Sequence, residues 1–299
     1  MGNILTRGTL LPPVVTDQLF SKVKGKSSLA RLSASEPIPF NGETMFTFSL
    51  DNEVDLVAEN GAKSNGGATI TPVTMQPVKV EYGFRVSDEF KYGTEEIRLQ
   101  YLTAFADGFA KKVARGLDIM AIHGVNPRTK QSASALSGKN FDDIVDNVVV
   151  FDSSKPQDNV TAAINLIGDE IDVTGLAMAP AMKSALANLK TQTGSNIPLF
   201  PELGWGATMT QLNGLPADSN TTMSFNNSLD RALVGNFADY FKWGFAKQIP
   251  IEVIEYGDPD NSGYDLKGHN QVYLRGEAYI GWGILDKAAF AMVKASASA

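Results

Sequence analysis

TEEIRLQYLTAFADGFAKKVARGLDIMAI, residues 94–122, is the stretch from which the rest of the chain is best read. Ile97, Tyr101, Phe105, Phe109 and Val113 recur every four residues. Leu102, Ala106 and Leu117 widen that stripe into the apolar face of an amphipathic helix. Thr94 offers an N-cap oxygen, Glu95 and Glu96 suit the positive end of the helix dipole, and Lys111, Lys112 and Arg115 lie towards the negative end. Gly124 and Pro127 stop it. At 1.5 Å per residue the helix spans about 40 Å, which suits a thin, flat plate better than a small globule.

Upstream, residues 41–87 carry a β pattern. Thr44, Phe46, Phe48 and Leu50 alternate with Met45, Thr47 and Ser49, and Val78, Val80, Tyr82, Phe84 and Val86 alternate with charged or small residues. Two long strands are therefore expected, with residues 53–74 between them. The middle of that segment, AENGAKSNGGAT at 58–69, is too polar and glycine-rich to bury and too long for a tight turn. The region reads as a two-stranded arm projecting from the body towards another molecule.

Ahead of the arm, Val14, Val15, Leu19, Phe20 and Val23 predict a short helix ending near Lys24, and Pro37 and Pro39 predict an edge strand within 29–40. Beyond Phe141 the pattern changes to αβ units. Helices are expected over 159–171 and 181–189, short strands over 175–179 and 231–235, and hairpin character over 204–215. An aromatic run, Phe237, Tyr240, Phe241, Trp243 and Phe245, precedes a return of β alternation from Ile249 that continues through residues 271–293. The first module thus resumes at the carboxyl end.

The chain has 299 residues, 43% hydrophobic and 20% charged, an ordinary globular composition with length for about two domains. Zero cysteines exclude disulfides, thiolate nucleophiles and cysteine-bearing zinc sites, and two histidines, His123 and His269, cannot form a three-histidine cluster. The net charge of −7 does not advertise a nucleic-acid binder, yet residues 1–40 hold five basic and two acidic side chains, a local +3. Without a leader sequence or an apolar run of the roughly 18 residues a membrane span needs, the chain reads as soluble and made without export.

No dinucleotide fingerprint, phosphate loop, zinc-protease helix or nucleophile elbow is present. SALSGKN at 134–140 lacks the leading glycine of a phosphate loop and reads as plain loop. His123 reads as a solvated helix cap, Asp142, Asp143 and Asp146 as a solvated acidic loop. The Asp258, Asp260, Asn261, Ser262, Asp265 turn has a superficial likeness to a calcium loop but no carboxylate at the twelfth place, and it reads as a plain turn. Lys22, Lys24, Lys26 and Arg31 form a modest basic cluster without aromatic platforms, fit at most for sequence-independent contact with a polyanion. No catalytic, cofactor-binding or metal-binding residue is assigned, and no catalytic activity is expected.

Several strings, in order, carry a likeness: LPPVVTDQLFSKVKGKSSLARL at 11–32, EVDLVAENGAKSN at 53–65, VSDEFKYG at 86–93 leading into the long helix, LDIMAIHGVN at 117–126, and QVYLRGEAYIGWGILDKAAFAMVKA at 271–295. Together they cover nearly the whole chain, which resembles the major capsid proteins of tailed bacteriophages with the Hong Kong 97 type fold. The resemblance implies an α+β fold: an N-terminal arm at 1–40, an extended loop at 41–80, a peripheral domain at 81–145 and 247–299 with the long helix as spine, and an axial αβ domain at 146–246. It implies hexamers and pentamers of the chain in an icosahedral head, assembled in the bacterial cytoplasm around double-stranded DNA with a portal. The chain starts almost at the arm, so a separate scaffolding protein or none is expected. Some members weld their shells through lysine–asparagine isopeptide bonds; Lys63 lies in the matching loop, but no partner motif is readable and it reads as a surface lysine. A nanocompartment shell around protein cargo is the alternative within the fold, and a two-module enzyme or solute-binding protein the alternative outside it.

Overall fold

The computed structural model describes residues 27–50, 52–168, 170–192, 196–204 and 209–296. The expected helix ending near Lys24 and the basic residues Lys22, Lys24 and Lys26 lie outside the described residues. The chain enters at a single helical turn, α1 (Ser28–Leu32), capped by Ser27, whose hydroxyl accepts from the Ala30 amide. The edge strand expected over 29–40 is thus corrected at its start: helix to Leu32, then extended backbone. The Glu36 amide donates to Trp243 O and the Ile38 amide to Phe245 O, so Pro37 and Pro39 fall where no amide is required. Gly244 permits this approach, since a Cβ there would run into the Glu36 carbonyl.

The arm is a two-stranded sheet of β1 (Glu43–Leu50) and β2 (Ala68–Met75). The strand expected to close it, β3 (Val78–Ser87), belongs to the body instead. Its alternation was read correctly and its partner was not, because ATITPVTM at 68–75 has small side chains and a proline that only a two-stranded edge tolerates.

The long helix, α2, runs Glu95–His123. The Thr94 hydroxyl accepts from the Ile97 amide, and Gly124 ends the helix at φ 63°, a left-handed C-cap that glycine adopts without strain. After a polar loop come α3 (Phe141–Ile144), β4 (Val148–Val150), α4 (Pro156–Ile167), β5 (Gly175–Met178) and α5 (Pro180–Ala187). β6 (Gln211–Leu212) and β7 (Leu215–Ser219) pair around Asn213 and Gly214, both at positive φ, in a two-residue hairpin. β8 (Asp230–Gly235) and α6 (Phe237–Tyr240) lead to β9 (Phe241–Ile254), then β10 (Gln271–Ile284) and β11 (Phe290–Lys294).

Two body sheets result: β3-β10-β9, and a mixed six-stranded sheet ordered β4-β11-β8-β5-β7-β6. β11 lies parallel to β4 and antiparallel to β8, so the β run expected through 271–293 breaks after Ile284 and its last strand crosses into the six-stranded sheet. β9 opens at Phe241, so Phe241, Trp243 and Phe245 of the aromatic run already belong to the strand expected from Ile249. The carboxyl-terminal half of α2 is the centre of the core, where Leu117 and Ile122 share a cluster with Phe141, Phe237, Phe241, Trp243 and Phe290. Phe141 and Phe237 meet Phe290 at ring centroids of 5.0 and 5.3 Å, nearly edge to face. At the other end of α2 only Phe105, Phe109 and Val113 of the five-residue stripe are buried, while Ile97 and Tyr101 remain about half exposed.

Candidate functional site

Residues directly opposite in an antiparallel pair share a face, and β1 and β2 set Phe46 against Pro72, Phe48 against Ile70 and Leu50 against Ala68. Phe46, Phe48, Leu50 and Ile70 are 60–71% exposed on that face. Met75, on the opposite face at the arm's base, is buried against the body. Beyond the strands Val54 and Leu56 are each 97% exposed. Covering four such side chains is worth on the order of 4–8 kcal/mol per arm, a gain that this chain does not collect within itself. Between arm and body runs an open groove of about 900 Å³, lined among others by Phe48, Ile144, Ile171, Tyr240 and Ile284.

The expected candidates are mostly dispersed. Lys63 is exposed between β1 and β2. Arg31 is not free for a polyanion: its guanidinium pairs with Asp218 at 2.6 Å and donates to Met209 O. Asp143 accepts from the Gly138 amide and Asn140, Asp146 pairs with Lys287, and Asp142 turns inward, so the three carboxylates do not converge. Within SALSGKN, Asn140 caps α3 and Lys139 donates to Gln76. The 258–265 turn is closed by the Arg85 guanidinium, which reaches Asp258 at 2.6 Å, Asp260 at 2.5 Å, Ser262 and the Tyr264 carbonyl. An organic cation from β3 therefore stands where an ion would. The Arg85 hydrogen bond holds the Asp260 carboxyl far below its usual range.

Two buried polar sites were not expected. Asp118, wholly buried in α2, accepts from the Ser27 hydroxyl, the Ser28 amide at 3.0 Å, the Leu29 amide at 3.2 Å and the Thr222 hydroxyl at 2.8 Å. Burial pushes its pKa up even against those four donors. It is the socket that receives α1. A charged residue flanked by Leu117 and Ile119 on a buried face was the available signal.

The reading of His123 as a solvated cap is corrected, because the ring is only 5% exposed. Nδ1 lies 2.9 Å from Asp142 and 3.2 Å from Asp230, and Nε2 lies 2.8 Å from the Thr222 carbonyl. Lys294 closes the cluster, 2.6 Å from the other oxygen of Asp142 and 3.3 Å from that of Asp230. Burial works to lower the His123 pKa, but Asp142, Asp230 and the carbonyl outweigh it and hold it at about 9. Burial raises Asp230, yet His123 and Lys294 bring it below its ordinary value. The groups gathered around His123 lie on α3, β8 and β11 and on the segment around Thr222, so no local spacing announced them.

None of these arrangements sets a nucleophile beside a base in a cleft, and among the described residues the most exposed apolar surface is the arm. The profile of the phage capsid family matches residues 7–295. The chain belongs to the phage capsid family. This capsid chain shares 32% identity and a TM-score of 0.76 with a solved structure from Mycobacterium phage Ogopogo, over 91% of this chain and 92% of that one. A structure from Gordonia phage Cozz aligns at 22% identity and TM-score 0.72, over 91% and 87%. The capsid of an empty GTA particle aligns at 16% and 0.63, over 91% and 90%, a likeness of fold. No curated protein sequence matches. The capsid chain is thus a major shell protein of the virion, with a structural role and self-association as its activity. Among the described residues no helix is long and apolar enough to cross a membrane.

Proposed function

We propose that this shell protein assembles as hexamers and pentamers into an icosahedral head around double-stranded phage DNA, and that the apolar face of the β1–β2 arm holds neighbouring subunits together. The single observation behind the role of the arm is Phe46, Phe48, Leu50 and Ile70 on one open face of a hairpin that has no core of its own. Weak contacts repeated around a closed shell multiply, so a modest gain per arm suffices for a durable particle. Residues 1–40 serve as the N-terminal arm and 41–80 as the extended loop. Residues 81–145 with 247–299 form the peripheral domain and 146–246 the axial domain; the pairing of β11 with β4 and β8 supports counting that one strand with the axial sheet. Contact with DNA is sequence-independent and carried by the basic residues ahead of α1, Lys22, Lys24 and Lys26. Assembly takes place in the host cytoplasm, with a portal. The subunit has no catalytic turnover.

Electron microscopy of purified particles with analysis of their nuclease-protected contents tests this reading. Closed icosahedral shells holding double-stranded DNA are expected. Shells filled with protein cargo favour a nanocompartment, and small particles that never close overturn the proposal.

A further inference from the structure

The two ring nitrogens of His123 face only acceptors: the Thr222 carbonyl at Nε2, and the carboxylates of Asp142 and Asp230 at Nδ1. A neutral imidazole donates from one nitrogen and presents a lone pair from the other. Either tautomer therefore leaves a lone pair pointed at an oxygen lone pair in a buried site. We propose that His123 is held as the imidazolium and acts as a removable pin, so that loss of its proton slackens the joint between the long helix and the six-stranded sheet.

The groups facing the pin are counted element by element. Asp142 comes from α3, Asp230 from β8, Lys294 from β11, and the Thr222 carbonyl from the segment between β7 and β8. Asp118 lies five residues back on α2 itself and reaches His123 through Thr222. Two cations balance two carboxylates in the cluster. His123 Nδ1 and one oxygen each from Asp142 and Asp230 also lie within 4.8 Å of one another, a set of metal-ligating types. With Lys294 already on the other oxygens, a divalent ion in place of the proton would leave the cluster one positive charge in excess, so the proton is the better match.

Thr222 makes the device more than local. Its carbonyl accepts from His123 and its hydroxyl donates to Asp118, which grips the first amides of α1. Slackening at His123 thereby reaches the point where the amino-terminal segment joins the body. The sign follows from the raised value of about 9 against 6.5 for an ordinary histidine. The pin contributes fully below about pH 6.5, fades as pH rises, and is lost above about 9. Across that window the folding equilibrium falls by roughly 300-fold if the whole shift is expressed.

The chain has two histidines, so magic-angle-spinning NMR of assembled particles carrying ¹⁵N-histidine reads the pin directly. The His123 signal is assigned by its loss in His123→Gln. At pH 7.5 both of its ring nitrogens should be protonated, converting to a neutral ring with a midpoint near 9. Thermal stability of wild-type particles should fall from pH 7 to 9.5, and His123→Gln should be less stable at pH 7 but nearly flat over that range. A neutral ring at pH 7.5, an unchanged alkaline loss in His123→Gln, or a Nδ1 resonance moved by added Zn²⁺ at pH 7.5 would each overturn the proposal. Should the variant not assemble, the His123 signal is assigned as the one that persists in His269→Gln particles, and the wild-type NMR titration then decides.

Discussion

The arm and the joint at the end of α2 invert the usual arrangement. In the arm, phenylalanine, leucine and isoleucine stand in the open on both strands. At the joint, Asp118, Asp230 and His123 are enclosed, with Lys294 closing over them. Buried polar groups need specific partners, so they fix one geometry at the expense of raw stability. Exposed apolar faces are non-directional and gain only by association. On the reading proposed above, the pair teaches a division of labour: the joint sets the shape of the subunit, and the arm supplies adhesion between subunits.

The comparison breaks most visibly if the arm is made polar. A Phe46→Ser/Phe48→Ser double variant should abolish closed particles, because about 3–4 kcal/mol lost per arm is multiplied over the shell, while the isolated subunit unfolds within about 1 kcal/mol of wild type. Sedimentation velocity and denaturant melts measure the two quantities. Asp118→Ala should do the opposite, costing the subunit about 2–4 kcal/mol by leaving two amides and two hydroxyls without an acceptor. Urea unfolding checks it.

A smaller effect is expected from Asp230→Ala, about 1–3 kcal/mol near pH 7, since Asp142 still faces both His123 and Lys294. The same variant sharpens the acid side of the joint. The Asp230 pKa is depressed in the folded chain, so its contribution is present above about pH 4, the ordinary value, and lost as pH falls further. Wild-type stability should decline in acid, and the variant should decline less in a thermal-shift series from pH 6 to 3. Least of all, Lys63→Ala should leave melting and particle yield unchanged, because the side chain is exposed and makes no described ion pair.

Much of the skeleton was legible. The Thr94 cap, the four-residue stripe and Gly124 delimit α2 within one residue at either end, because each signal acts locally. The alternation in 44–50 and 271–284 likewise marks β1 and β10. β2 was hidden by Pro72 and its threonines, whose strand character depends on partners 20 to 30 residues away across the hairpin. The joint was hidden more completely. Asp142 lies 19 residues from His123 and 152 from Lys294, and Asp118 lies 91 from Ser27, so burial and charge pairing there are products of the assembled sheets. Exposure misled in both directions: an acidic loop read as solvated supplies the carboxylate of a buried ion pair, and a stripe read as helix core ends in open Ile97 and Tyr101.

The absence of cysteine makes the central claim directly measurable, since a single Ile70→Cys places one thiol on the apolar face of the arm. Maleimide labelling is timed on disassembled subunits and on closed particles, with Lys63→Cys as a reference at the loop. If the arm adheres subunits through that face, Ile70→Cys reacts quickly in the subunit and at least tenfold more slowly in the particle. Equal rates in both states would contradict the account, because the face would then remain open to solvent after the shell has closed.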